Sequence, residues 1–306
     1  MLTTNKDVLE KADKGRYAVG AFNINNMESL QAIVQGAGEL ESPVIIQTTE
    51  GAIDYAGILY LSCMVRNIAK KARIPITLHL DHGKSMEYIK LAMENGYTSV
   101  MIDGSALNFE KNVRITRKVV RLARKKRISV EAELGTLGGQ EDYVKGKVAY
   151  TDPDAAVKFA EMTGCDTLAI AIGTSHGAYK FKEKAKLDMN RLKEIKQRLG
   201  MPLVLHGASG IPHKIVKQAE KYGAKLGKAK GVPDPQIRQA VKLGINKVNI
   251  DSDLRLAFDA GIRKVLKEKP EVFDPRKILG PARDLMTEIV KHKIRLFGSI
   301  GKARVK

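Results

Sequence analysis

The sequence predicts an α/β fold, a single (β/α)8 TIM barrel with a C-terminal helical extension. Three observations carry that expectation. Short β-branched runs alternate with helical patterns throughout the chain, as the βα units of a parallel sheet do. The runs number eight, and 306 residues hold one barrel of about 250 residues with additions. Histidines and carboxylates collect where several runs end, the pole at which barrel enzymes keep their chemistry. A doubly wound open sheet is the alternative topology.

The first run covers residues 18–23 and is followed by a helical pattern over 27–40; the second covers 44–48. The third covers 76–80, and the helix after it, 86–95, stops at Gly96. The fourth run is 99–102. After it comes the densest basic stretch, 114–127, in which Ile115, Val119, Leu122 and Ala123 recur at helical spacing, so that its Arg and Lys residues occupy the outer face of a core-packed helix. The fifth run is 129–133, and the sixth, 168–172, follows a helix over 154–163 ended by Gly164. A helix over 192–199 with Gly200 behind it separates that run from the seventh, 203–205; the eighth is 247–250. A helix over 254–266, a turn at Phe273-Asp274-Pro275-Arg276 and a last helix ending near Phe297 form the extension. Two connections, 135–150 and 221–235, exceed ordinary βα loops and suit lids or substrate clamps. No linker interrupts the pattern, so one domain over residues 1–306 is expected.

Lys and Arg outnumber Asp and Glu by 53 to 34, which calls for an acidic partner: nucleic acid or a phosphorylated metabolite. Aromatics are only 5% and no recognition-helix or aromatic-interleaved basic sheet is present, so no nucleic-acid partner is expected. No run approaches the roughly 20 apolar residues of a membrane span, and the acidic N-terminal segment has no apolar leader core. A cytoplasmic protein without membrane contact is expected. Cys63 and Cys165 lie in apolar segments far apart and suit buried thiols better than a disulfide.

The third run leads into Asp81-His82-Gly83, the sixth into Gly173-Thr174-Ser175-His176-Gly177, and the seventh into His206-Gly207-Ala208-Ser209-Gly210. One histidine alone is more often structural than a ligand, and His79, His213 and His292 are read that way. Three at strand ends are different: His82, His176 and His206 would form a neutral site that leaves the charge of Zn2+ on a substrate oxygen. Asp81 is either an orienter of its neighbouring ligand or a general acid/base above the substrate. Asp103 closes the fourth run, and Glu131 and Glu133 share a face of the fifth. These carboxylates could orient histidines or offer the metal a second position. Independently, the small residues of 207–210 and 249–252 follow strands seven and eight, where barrels form anion sites. Metal beside phosphate fits aldol chemistry, in which a ketone is polarised, its α-proton removed and an enediolate stabilised. The Schiff-base route needs a strand-end lysine, and none of the eight runs ends in one.

These motifs, together with Ala21-Phe22-Asn23, Thr49-Glu50-Gly51-Ala52, Met101-Ile102-Asp103, Val130 to Gly135 and Lys247 to Arg255, closely resemble those of the class II, metal-dependent fructose-bisphosphate aldolases over essentially the whole chain. The resemblance implies reversible cleavage of fructose 1,6-bisphosphate to dihydroxyacetone phosphate and glyceraldehyde 3-phosphate. It implies zinc on His82, His176 and His206, with an alternative metal position at Asp103 and Glu133. Asp81 would handle the C4 hydroxyl proton, and Glu141 would take the α-proton as its loop closes. Asn23, Gly177, Lys180, Gly207, Ser209, Asn249, Asp251 and Ser252 match positions that hold the ketose and its C1 phosphate, often with a monovalent cation, Na+ or K+, nearby. Thr49 and Arg255 match positions toward the C6 phosphate, and Arg276 an arginine given by the neighbouring subunit of a homodimer or homotetramer. Departures are mild: Thr49 and Ser252 exchange Ser and Thr relative to common versions, and Gly210 stands for a frequent Ala. Tagatose-bisphosphate aldolase is the near rival. A zinc hydrolase of this fold would carry an HxH pair on its first strand, which is missing, and a nucleic-acid-binding protein would leave the strand-end residues unexplained.

Overall fold

The computed structural model describes residues 2–136, 138–141, 144–146, 149–176, 186–227 and 229–303, of which 138–141, 144–146 and 176 as backbone only. In chain order the elements are α1 (Asn5–Lys14), β1 (Val19–Asn23), α2 (Met27–Glu39), β2 (Val44–Thr48), α3 (Glu50–Ala56), α4 (Ile58–Lys71), β3 (Ile76–Gly83), α5 (Met86–Glu94), β4 (Ser99–Ile102), α6 (Phe109–Lys125) and β5 (Ser129–Leu134). There follow β6 (Gly138–Glu141), β7 (Val144–Gly146), α7 (Pro153–Thr163), β8 (Thr167–Ile170), β9 (Ser175–His176), α8 (Met189–Leu199), β10 (Leu203–Leu205), α9 (His213–Lys221), α10 (Asp234–Lys242), β11 (Ile245–Ile250), α11 (Ser252–Glu268) and α12 (Pro275–Phe297). Eight parallel strands close a barrel in the order β1-β11-β10-β8-β5-β4-β3-β2.

Side-chain alternation in these strands assigns one set to the helices and one to the barrel interior. On β3, Ile76, Leu78 and Leu80 join the main core, whereas Thr77, His79 and Asp81 form the buried polar set. On β5, Val130 and Ala132 pack outward and Glu131 and Glu133 fall on the other face; on β11, Val248 and Ile250 alternate with Lys247 and Asn249. At the lower pole the interior is apolar: Val19, Ala21 and Ile45 pack with Val8, Leu9 and Ala12 of α1. A capping box starts that helix, with the Thr4 hydroxyl accepting from the Asp7 amide while the Asp7 carboxylate accepts from the Thr4 amide. Asn5 then reaches up into the barrel, its side-chain amide 3.2 Å from His79 Nδ1 and its carbonyl oxygen 2.6 Å from the Thr77 hydroxyl.

All eight expected runs are barrel strands, though β3 continues to Gly83 and β8 ends at Ile170. On α6 the basic residues are exposed while Val119, Val120 and Ala123 are buried. Two readings need correction. Cys63 is exposed, because α4 buries Leu61, Ser62, Val65 and Ala69 and turns position 63 to the opposite side; only Cys165 is buried. The stretch 135–150 is not a plain loop: it contributes β6 and β7 to a small sheet in which β6 also runs parallel to β9. No helix among the described residues is long and apolar enough to cross a membrane.

Candidate active site

β3 delivers Asp81 and His82 to the upper pole, and His82 takes a left-handed backbone conformation (φ 48°) that breaks the strand's alternation and puts both side chains at the site. The His82 Nδ1 lies 3.1 Å from Asp103 Oδ2, past the end of β4, and 3.8 Å from Glu133 Oε2 of β5. His206, directly after β10, places Nε2 2.7 Å from Glu131 Oε1 and Nδ1 2.9 Å from His82 Nε2. A carboxylate only accepts, so His206 donates from Nε2 and His82 from Nδ1. The two remaining ring nitrogens, His206 Nδ1 and His82 Nε2, therefore face one another. Asp81, His82 and His206 offer ligand atoms all within 4.8 Å of one another, and so do His82, Asp103 and Glu133.

Charge at this point is unbalanced. Burial alone would lower the His82 pKa, yet Asp81, Asp103 and Glu133 around it raise it to about 10. Burial and the neighbouring Asp103 push Glu133 well above the usual carboxylate range. Burial would raise Asp103 too, but the hydrogen bonds from His82 and Ser105 hold it low. Glu133 Oε2 is buried without a hydrogen-bond partner among the described residues. Facing imidazole nitrogens with a surplus of buried carboxylates form a donor set that fits a divalent cation, with the His82 proton as its substitute.

Asp81 is held by three side-chain amides: Asn249 donates to Oδ1 at 3.0 Å, and Asn23 and Gln47 donate to Oδ2 at 3.1 and 3.0 Å. Below it, Glu131 Oε2 accepts from Lys247 Nζ at 2.7 Å, and Lys247 also lies 3.2 Å from His79 Nε2. Burial and the Lys247 charge drive the His79 pKa well below its usual value, so this imidazole is neutral and stays in the interior as expected. Gln47 and Lys247 did not figure among the sequence candidates. The sequence marks each only as a polar side chain within a strand, as it does Asn246 and Asn249 of β11.

Gly207 has φ 61°, and a Cβ there would stand 2.6 Å from the Ser175 carbonyl oxygen. Its bare backbone lets the loop after β10 lie on β9, bringing His206 beside the strand that carries His176. The side chains of His176 and Glu141, and all of Gly177 and Lys180, lie outside the described residues. Ser209 is buried, and its hydroxyl accepts from the Asp251 amide at 3.4 Å, joining the loops after β10 and β11. Ser252 opens α11. A cavity of about 600 Å³ is lined by Asn23, Gly51, Ala52, Asp251 and Arg255, among others. Arg255 is braced by Asp251 at 2.8 Å, and Thr49 caps α3 beside the cavity by accepting from the Ala52 amide. Arg276 stands apart, its exposed guanidinium 2.8 Å from Asp274 and outside the cavity lining. The stretch 221–235 packs against the phosphate-loop candidate: Val232 donates to the Ser209 carbonyl, and a Cβ on Gly231 would clash with that same carbonyl oxygen.

Comparison with known proteins agrees with this arrangement. A family model described as "Fructose-bisphosphate aldolase class-II" matches residues 3–302. The chain is 48% identical to a fructose-bisphosphate aldolase of Giardia intestinalis, covering 99% of this chain and 94% of that one. It is 48% identical to one of Thermus caldophilus, over 99% and 100%. Among solved structures, the YdjI aldolase from Escherichia coli superposes with a TM-score of 0.81 at 35% identity, over 99% of this chain and 100% of that one.

Proposed function

Because the chain belongs to the class II fructose-bisphosphate aldolase family, we propose that it cleaves and re-forms fructose 1,6-bisphosphate with zinc as its metal, held by His82, His176 and His206. The observation that carries this reading is the pair of ring nitrogens 2.9 Å apart, each fixed from behind by a carboxylate, with Asp81 beside them. Bound zinc would supply polarisation of the ketone carbonyl. The protein's side chains do the rest. Asp81, aimed by Asn23, Gln47 and Asn249, takes the C4 hydroxyl proton in cleavage and returns it in condensation. Glu141 moves the α-proton of dihydroxyacetone phosphate. Asp103 and Glu133 offer the metal a second position. Asn249, Asp251, Ser252, Gly177, Lys180, Gly207 and Ser209 hold the ketose and its C1 phosphate, with a monovalent cation, Na+ or K+, beside them. Thr49 and Arg255 face the C6 phosphate, completed by Arg276 of a second subunit in a homodimer or homotetramer. The whole chain works as one domain, in the cytoplasm and without nucleic acid.

A coupled assay with fructose and tagatose 1,6-bisphosphates, with and without a chelator, tests this. Preference for the fructose isomer and dependence on metal are expected. Preference for tagatose bisphosphate would reassign the substrate, and activity indifferent to chelation would end the metal reading.

A further inference from the structure

The loop after β10 is held from behind by a buried ion pair in which the terminal helix takes part. Asp253, in the first turn of α11, accepts from the Gly210 amide at 3.0 Å and from the Ile211 amide at 2.6 Å. Lys293 of α12 closes on the same carboxylate at 2.8 Å, and both side chains are fully or almost fully buried. Asp234, itself paired with His292, lies 3.9 Å from Lys293 on its other side. Ile211 sits at φ 49°, a left-handed conformation that a β-branched residue adopts only where its surroundings enforce it. Two successive amides turned on one anion make the concavity that usually binds a ligand's anionic group. Here the occupant is the protein's own carboxylate. Burial alone would raise the Asp253 pKa, but Lys293 and the two amides hold it low, so the anion is kept.

We propose that Lys293 is a positioning residue for phosphate binding: by holding Asp253 on the Gly210 and Ile211 amides it fixes the loop 207–210 in the shape that receives a substrate phosphate. The inference rests on the phosphorylated-sugar reading above. It gives α12 a part in the site although nothing on that helix near Lys293 needs to touch substrate. At Gly210 the backbone comes close to that ammonium: a Cβ there would stand 2.8 Å from Lys293 Nζ. Removing the ammonium leaves Asp253 as an unpaired buried charge, which must take a proton or leave its amides, and either releases the loop.

The test uses Lys293→Met in the zinc-loaded full chain. KM for fructose 1,6-bisphosphate and the inhibition constant of inorganic phosphate are expected to rise at least tenfold, and amide exchange at Gly210 and Ile211 to quicken at least a hundredfold. Zinc content is expected to stay as in the wild type. Asp253→Asn removes the charge from the other side of the pair and weakens its hold on the Gly210 and Ile211 amides; it is expected to raise the same two constants, which keeps the test open if the lysine variant folds poorly. A fall in melting temperature with KM, phosphate inhibition and amide exchange unchanged would overturn the proposal. A wild-type chain that cleaves no ketose bisphosphate would refute the aldolase reading instead, with amide exchange still deciding whether Lys293 holds the loop.

Discussion

Two buried charge clusters flank the upper pole of the barrel, and they are built on opposite terms. Around His82 three carboxylates, Asp81, Asp103 and Glu133, crowd together, and among the described residues they pair with no lysine or arginine and Glu133 Oε2 has no hydrogen bond. Around Asp253 the charges close: one ammonium and two amides surround one carboxylate, and no atom of either residue is among the buried polar atoms lacking a partner in the described residues. Burying a charge is costly unless it is paired. The first cluster therefore needs a cation from outside, while the second is complete when the chain has folded. Incompleteness marks the site of chemistry, and completeness marks the scaffold that shapes a binding loop.

The largest break in this comparison is removal of the cation. Exhaustive chelation should lower aldolase activity by roughly 10³ or more, given the several kcal/mol of transition-state stabilisation a bound metal supplies, and Zn2+ should restore it. Unchanged turnover after chelation, combined with trapping by borohydride, would show that the open cluster is not a metal site. Next comes Asp81→Ala, expected to cut kcat by roughly 10² to 10⁴, the range for a positioned acid or base, with zinc near one per subunit. Parallel loss of zinc would move Asp81 from the proton-transfer role into the ligand set. Glu131→Gln sharpens the comparison, because it weakens the hydrogen bond behind His206 and, on the other oxygen, the ion pair with Lys247, without touching a ligand atom. Its zinc affinity, read by competition with a chromogenic chelator, should fall roughly ten- to a hundredfold. At the far end of the cavity, Arg255→Ala should raise KM for fructose 1,6-bisphosphate roughly ten- to a hundredfold, the worth of hydrogen bonds to a charged group, and leave fructose 1-phosphate kinetics nearly unchanged. Equal damage to both substrates would place Arg255 away from the C6 phosphate. The smallest effect concerns the thiols: a bulky maleimide should label Cys63 and spare Cys165 with little change in activity, and loss of activity on labelling would show that α4 communicates with the site.

Most of the barrel was legible because its outward faces are apolar with the period of a strand, and glycines stop the helices behind them. The site residues were legible where they stand in the last residues of a strand or just past it, as Asp81 and His82 of β3 and His206 after β10 do. Gln47 and Lys247 escaped for a physical reason: each lies within a strand, where a polar side chain gives no local sign of whether it meets water or a buried partner. The ion pair of Asp253 and Lys293 escaped because it joins residues 40 apart in sequence on two helices, each of which reads as an ordinary amphipathic segment. Cys63 was misjudged because an apolar neighbourhood in sequence is not the same as the buried face of a helix.

The seam between β1 and β11 also governs how the protein is made. β1 finds its second neighbour only when residues 245–250 exist, and α1 waits as well, for Asn5 binds Ser129 and His79 from later strands. At a synthesis rate of about 5–20 residues per second, the first strand leaves the ribosome roughly ten to fifty seconds before its closing partner. For that interval an unpaired strand edge and the apolar face of α1 stand in water. Expression yield should therefore respond to translation speed and chaperone supply more than the finished barrel's stability would suggest.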